Sequence, residues 1–250
     1  ATTEIYTLSL HDALPIFAVH EMNSNAFHLF LVTAAGINTP VISNIGAAHT
    51  GTFPVGWGQM KFSPNGQKLG LVTYTGNIAE LFDFDNTTGI VSNPVSLPAG
   101  GLEYGISFSP DNSKLYVVTW SGFSTIYQYD LCDLAAAAII GSKTLIYTYP
   151  EGYGSLQSAP DGKIYVARPI EDSLGIINDP NAKGLACNYI HNGFFLAGKR
   201  SIGGLPNFME SYFDTTTIWL MSDTGICIGD SVQLVASGGT SYRWDPSTGL

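Results

Sequence analysis

The sequence predicts an all-β fold built from a repeated unit, and three observations carry that prediction. Charged residues make up only 12% of the 250 residues, about half the ~25% usual for soluble domains, which argues against helical bundles and coiled coils with their charged outer faces. The chain holds 28 Gly and 13 Pro, the residues that set the special backbone angles of tight turns. A proline-marked motif also recurs. Met60-Lys61-Phe62-Ser63-Pro64-Asn65-Gly66 returns as Ile106-Ser107-Phe108-Ser109-Pro110-Asp111-Asn112 and as Leu156-Gln157-Ser158-Ala159-Pro160-Asp161-Gly162, with the prolines 46 and 50 residues apart. A period of that size marks a repeat architecture.

Taken in order, residues 1–16 stand apart. Their letters, ATTEIYTLSLHDALPI, translate a common sequencing-library adapter, so the segment is read as an artefact and left out of the fold. It also implies that the reading frame starts inside a gene, with any secretion signal and first strands upstream. Residues 26–35 and 40–45 then alternate as the outer two strands of a unit whose inner strands are lost.

Each full unit begins with a strand running into the marker proline. Pro presets φ at one turn position and Asn-Gly or Asp-Gly accepts the left-handed ones, so the chain reverses there. A second strand follows, with Leu69/Leu71, Leu115/Val117 and Ile164/Val166 on one face at the period of two that a strand requires. Third strands fall at residues 79–84, 125–131 and 174–178, and fourth strands at 91–97, 145–149 and 188–196. Four short antiparallel strands per repeat make one blade of a β-propeller, which must stack on its neighbours to bury its faces. Residues 17–213 are thus expected to form about three and a half blades of a partial, N-terminally truncated propeller, and such an open arc, with unpaired edges, is expected to aggregate. Residues 214–224 read as a linker. From Cys227 to Trp244 a new alternating pattern suits the start of a small β-sandwich, cut off within residues 225–250.

Composition and motifs exclude several functions. A net charge of −10 leaves no basic footprint for nucleic acid. Apolar runs such as residues 135–140 fall far short of the ~20 residues of a membrane helix. His20-Glu21 lacks the second histidine of a zinc-protease helix, since position 24 is Ser. His28, His49 and His191 are scattered and read as structural. Ser155 lacks the second glycine of a nucleophile elbow. The oxygen-rich run at residues 83–89 is better read as a hairpin turn than as a calcium loop. Cys132, Cys187 and Cys227 have no zinc-ligand spacing; Cys227 is expected to pair beyond residue 250 or to remain a thiol, and the other two are read as unpaired and buried. No metal and no cofactor is expected.

One pattern points to a ligand. An aromatic–glycine pair precedes the first strand of each full unit, Trp57-Gly58, Tyr104-Gly105 and Tyr153-Gly154. In a propeller these connections gather near the axis on one face, beside the loops at residues 75–77, 120–124 and 168–172, so Trp57, Tyr104, Tyr153 and Trp120 are the candidate ligand-binding residues. Flat rings with polar neighbours hold sugars or peptide segments. The same rings can act instead as wedges between blades, with each glycine serving only the turn.

With these residues in hand, the chain resembles the propeller region of the large secreted surface proteins of Bacteroidetes, the gliding-motility-associated group exported by the type IX system. The carriers include Gly36-Ile37-Asn38-Thr39-Pro40-Val41, Glu80-Leu81-Phe82-Asp83-Phe84-Asp85, Tyr127-Gln128-Tyr129-Asp130-Leu131, Gly175-Ile176-Ile177-Asn178-Asp179-Pro180 and Gly203-Gly204-Leu205-Pro206-Asn207-Phe208. Residues 225–250 resemble a PKD- or immunoglobulin-like module. The resemblance implies an extracellular, cell-surface setting, a C-terminal sorting domain that this sequence does not contain, and a non-enzymatic binding, adhesion or scaffold role with a glycan or protein ligand. Two alternatives are kept. One is a propeller enzyme, lactonase- or quinoprotein-like, whose site would gather ligands at the axis, where the sequence offers Glu103, Lys61 and Gln157. The other is a purely structural spacer.

Overall fold

The computed structural model describes residues 6–8, 16–50, 56–74, 76–98, 100–206, 219–220 and 236–237. It divides into two units, Ala1–Phe213 and Asp214–Leu250. The first holds four antiparallel sheets, and three of them are the proline-marked repeats. The second sheet runs β6 (Gly58–Phe62), β7 (Lys68–Thr73), β8 (Ile78–Asp85), β9 (Ile90–Ser96); the third runs β10 (Glu103–Phe108), β11 (Lys114–Thr119), β12 (Ser124–Asp130), β13 (Thr144–Tyr149); the fourth runs β14 (Leu156–Ser158), β15 (Ile164–Val166), β16 (Ser173–Ile177), β17 (Tyr189–Phe195). Each is a simple meander in sequence order, as the turn signals require.

The first sheet differs from its sequence reading. Instead of an outer pair alone, it is ordered β1 (Tyr6–Leu8), β2 (Ile16–His20), β3 (Ala26–Thr33), β5 (Val41–Asn44), with β4 (Gly36–Ile37) folded back on β3. Residues 17–20 supply the strand that was missed: Ala18 is fully buried and packs with Phe27 and Leu29. Tyr6–Leu8, inside the segment read as adapter, pairs with β2 in register Tyr6↔Ala18. Ladder pairing uses backbone groups that every residue carries, so a short extended run of any origin can complete an open edge.

Successive sheets pack face against face. Leu69 and Leu71 of β7 point to the first sheet, joining Phe27 and Leu29, while Val72 points the other way. In β11 the alternation serves two interfaces at once. Leu115 and Val117 meet Leu81 and Ala79 of the second sheet, and Tyr116 and Val118 meet Leu156 and Ile164 of the fourth. A strand buried on both faces needs an unbroken apolar run, and Leu115-Tyr116-Val117-Val118 is one. The innermost strands β6, β10 and β14 lie next to one another. A short helix absent from the sequence reading, α1 (Ala136–Gly141), fills the link between β12 and β13 and buries Ile139 against the second sheet.

In the second unit the described residues are β18 (Trp219–Leu220) and β19 (Ala236–Ser237), an antiparallel pair. Cys227 and most of the expected sandwich lie outside the described residues.

Candidate functional site

In a four-stranded meander, the link from a fourth strand to the next first strand and the link from second to third strand emerge on the same face. On that face a row of rings crosses two sheets. Trp57 stands 6.0 Å from Tyr74, Tyr74 6.4 Å from Tyr104, and Tyr104 4.8 Å from Trp120 in edge-on contact. Offset and edge-on pairs at such spacings are the favoured aromatic geometries. Three of the four sequence-derived residues, Trp57, Tyr104 and Trp120, therefore belong to one row, and Tyr74 joins them.

The row opens into a groove of about 560 Å³ between the third and fourth sheets. Leu102, Pro150, Pro169 and Ile170 form its apolar walls, Tyr74 and Trp120 add rings that each carry one polar group, and Ser121 and Glu151 are its remaining polar side chains. Trp120 is seated by two glycines. A Cβ on Gly152 would stand 2.6 Å from its Nε1, and one on Gly203 2.6 Å from its Cζ3, so only bare backbone admits the indole there. The Trp120 backbone amide donates to the Leu102 carbonyl at 2.7 Å. Glu151, the residue before Gly152, lines the same groove. Glu151 is the only charged side chain lining the groove among the described residues.

Tyr153 is elsewhere. It is fully buried between the third and fourth sheets, its hydroxyl 3.0 Å from His191 Nδ1 and accepting a hydrogen bond from the Tyr189 hydroxyl at 3.2 Å. Burial holds its phenol well above the ordinary range, and burial together with the neighbouring Arg168 lowers His191 to about 4. Arg168, also buried, donates to Ser173 Oγ at 2.8 Å and to Asn192, and its guanidinium lies 5.4 Å over the Tyr149 ring. This cluster braces the interface that Tyr153 wedges. The glycines of the aromatic pairs serve close packing as well: a Cβ on Gly105 would meet the Gly154 carbonyl at 2.6 Å, and one on Gly154 would overlap the Gly203 carbonyl.

The axis is filled. Lys61 Nζ donates to Gln157 Oε1 at 2.6 Å, and Gln59 Oε1 accepts from the amides of Ile106 at 3.1 Å and Leu156 at 2.9 Å. Glu103 turns back to its own chain, accepting from Gly101 N–H at 3.0 Å. An ammonium and two amides are not a donor set for a divalent cation, which takes anionic and carbonyl oxygens, so the axis does not fit the metal that the enzyme alternative placed there. The Asp83–Gly89 run behaves as a turn. Asp85 Oδ1 accepts from Thr87 N–H at 2.8 Å and Thr88 N–H at 3.2 Å; the Thr88 hydroxyl, together with these amides, holds its carboxyl below the usual range, and Asp83 is bonded to Lys68 and Asn93. No group of three metal-ligating side chains occurs among the described residues. Cys132 and Cys187 are both free thiols; Cys187 is buried as expected, whereas Cys132 is exposed, because the β12 strand ends at Asp130 and releases it to the surface.

The groove residues that sequence reasoning missed carried a signal. Tyr74 and Ile170 stand ten residues past a marker proline, as does the predicted Trp120, so the same place in the repeat lines the groove in all three copies.

No protein-family profile and no curated protein matches the chain. Solved structures do. A candidate 6-phosphogluconolactonase from Bacteroides uniformis superposes with a TM-score of 0.51 at 16% identity, covering 78% of this chain and 57% of that one. The holo PQQ domain of pyranose dehydrogenase from Coprinopsis cinerea gives 0.45 at 14% identity, over 68% of this chain and 43% of that one. A Lactobacillus plantarum protein gives 0.49 at 19% identity, over 70% and 50%. The fold is a β-propeller. The chain spans about half the length of these neighbours. The expectation of a non-enzymatic surface protein is corrected by the first of them: blades stacked in this way are shared with a candidate lactonase.

Proposed function

We propose that this chain is part of a propeller enzyme that opens a lactone, with the groove between the third and fourth blades as its substrate seat. The observation that carries the proposal is one groove lined both by Trp120, a large flat ring fixed between Gly152 and Gly203, and by the Glu151 carboxylate. A lactone ring stacked on the indole buries its apolar face at little entropic cost. Glu151 then takes a proton from a water molecule, which attacks the carbonyl carbon. A new carbon–oxygen bond forms, the bond to the ring oxygen breaks, and that oxygen leaves with a proton. The candidate lactonase among the fold neighbours supports this reaction class. The resemblance to secreted surface proteins supports a place outside the cell.

The complete chain should open δ-gluconolactone, followed by acid release in a pH-stat. Glu151→Gln should lower kcat by about 10²- to 10⁴-fold, the usual worth of a general base, and Trp120→Ala should act mainly on KM. A Glu151→Gln variant as fast as the parent protein would overturn the assignment.

A further inference from the structure

We infer that the groove selects a lactone carrying an apolar substituent, and that Ile170 is the residue that selects it; the inference rests on the lactone reading of the same groove. Three observations converge. The first is the wall, in which Leu102, Pro150, Pro169 and Ile170 are wholly apolar and Tyr74 and Trp120 add their rings. Such a wall gains more by covering an alkyl chain, whose burial removes apolar surface from water, than by covering a hydroxylated carbon. The second is charge. The only charged side chain on the wall among the described residues is the Glu151 carboxylate. Lys199 and Arg200 are exposed on the loop that follows β17 and do not line the groove. A phosphorylated sugar, which needs charge-assisted donors, is therefore a poor fit.

The third observation is Ile170 itself. It is 74% exposed, at the rim of the groove, with φ +71°. Arg168-Pro169-Ile170-Glu171 is a tight turn closed by the Glu171 amide on the Arg168 carbonyl at 3.2 Å. Proline in its second place and positive φ in its third give the pattern that calls for Gly or Asn at the third place. A β-branched residue there is strained. The surroundings hold it: the Ile170 amide donates to the Ser201 carbonyl at 2.9 Å, and the Ser201 amide to the Glu171 carbonyl at 2.8 Å. An apolar side chain kept in a costly conformation, pinned on both sides and presented at the mouth of a groove is what a fixed contact for a substrate chain requires.

The test titrates δ-decalactone, δ-gluconolactone and phosphorylated gluconolactone against the full chain by tryptophan fluorescence, alongside hydrolysis. The parent protein should bind the alkyl lactone about tenfold more tightly than the sugar lactone, and the phosphorylated one most weakly. Ile170→Asn, which suits positive φ, should bring the first two affinities within about twofold while leaving the thermal midpoint unchanged or a few degrees higher. An alkyl preference that survives Ile170→Asn, or tighter binding of the phosphorylated lactone, overturns this inference. Hydrolysis without alkyl preference overturns it and leaves the lactonase reading standing. Alkyl-selective binding without any hydrolysis does the reverse.

Discussion

His20 and His49 stack with ring centroids 3.8 Å apart and planes 20° from parallel. The link after β2 draws them together: the Asn23 amide donates to the His49 carbonyl at 3.0 Å, and the His49 amide to the Ser24 carbonyl at 2.9 Å. The Nε2 of each is buried without a hydrogen-bond partner among the described residues. Burial, with the second ring adding repulsion at His49, lowers His20 to about 4 and His49 to about 3. Glu21, which raises His20, does not offset the burial. The unfolded chain takes up protons near pH 6.5 while the folded one refuses them to about pH 4 or below. The stability these rings contribute is therefore complete above pH 6.5 and is lost as the pH falls toward 4, by on the order of 1–2 kcal/mol each once partial solvent access is allowed for. Urea unfolding at pH 7.5 and pH 4.5 should show that loss. The double variant His20→Phe, His49→Phe should keep the stack and flatten most of the acid dependence, leaving the part that belongs to His191. A sequence reading can class these histidines as structural, but two rings 29 residues apart reveal no contact until the sheet is built.

The proline-marked turn explains why the repeat was legible. Ser63 Oγ donates to Asn65 Oδ1 at 2.7 Å and accepts from the Lys68 amide at 2.9 Å; Ser109 Oγ donates to Asp111 Oδ1 at 2.7 Å and accepts from the Lys114 amide at 2.8 Å. Local bonds of this kind are written in the residues that make them, so the hairpins could be placed without any tertiary knowledge. The third copy has Ala159 in the serine place and lacks the clasp. Ala159→Ser should raise unfolding stability by about 0.5–1 kcal/mol, and Ser109→Ala should lower it by about 1–2 kcal/mol by leaving the Lys114 amide unpaired; urea midpoints at constant slope would check both. Elements fixed from a distance were not legible. α1 has no side-chain cap, and its Ala-rich run suits a helix by propensity but is decided by Ile139 reaching the second sheet. The groove was half legible for the same reason. Tyr74, Trp120 and Ile170 share one place in the repeat, while the part played by Glu151 depends on how two blades meet.

Across the whole of the first unit, stability should follow nearest-neighbour rules, because each blade packs only on the blades beside it. Gln59 breaks that rule. It stands on the second blade and bonds through Oε1 to the Ile106 amide of the third, but also through Oε1 and Nε2 to the Leu156 amide and carbonyl of the fourth, the latter at 3.2 Å. Lys61, two residues along the same strand and so on the same side, reaches Gln157 in the fourth. The sequence points to Lys61 and Gln157 at the axis, and the period of two would have added Gln59. Glu103 was placed there too, but the β10 register shifts between Glu103 and Gly105, which is why it bonds to its own chain. Replacing Gln59 by Leu keeps the volume roughly constant and strands buried backbone groups on two other blades, at a cost of about 1–3 kcal/mol for each unpaired group. Gln59→Leu should therefore lower the denaturant slope and split unfolding into stages, since the contact joining non-adjacent blades is gone. Hydrogen exchange should quicken together at Ile106 and Leu156, 50 residues apart. Protection lost only within residues 58–62 would show instead that the blades are coupled by their faces alone and that the axis contributes no cooperativity.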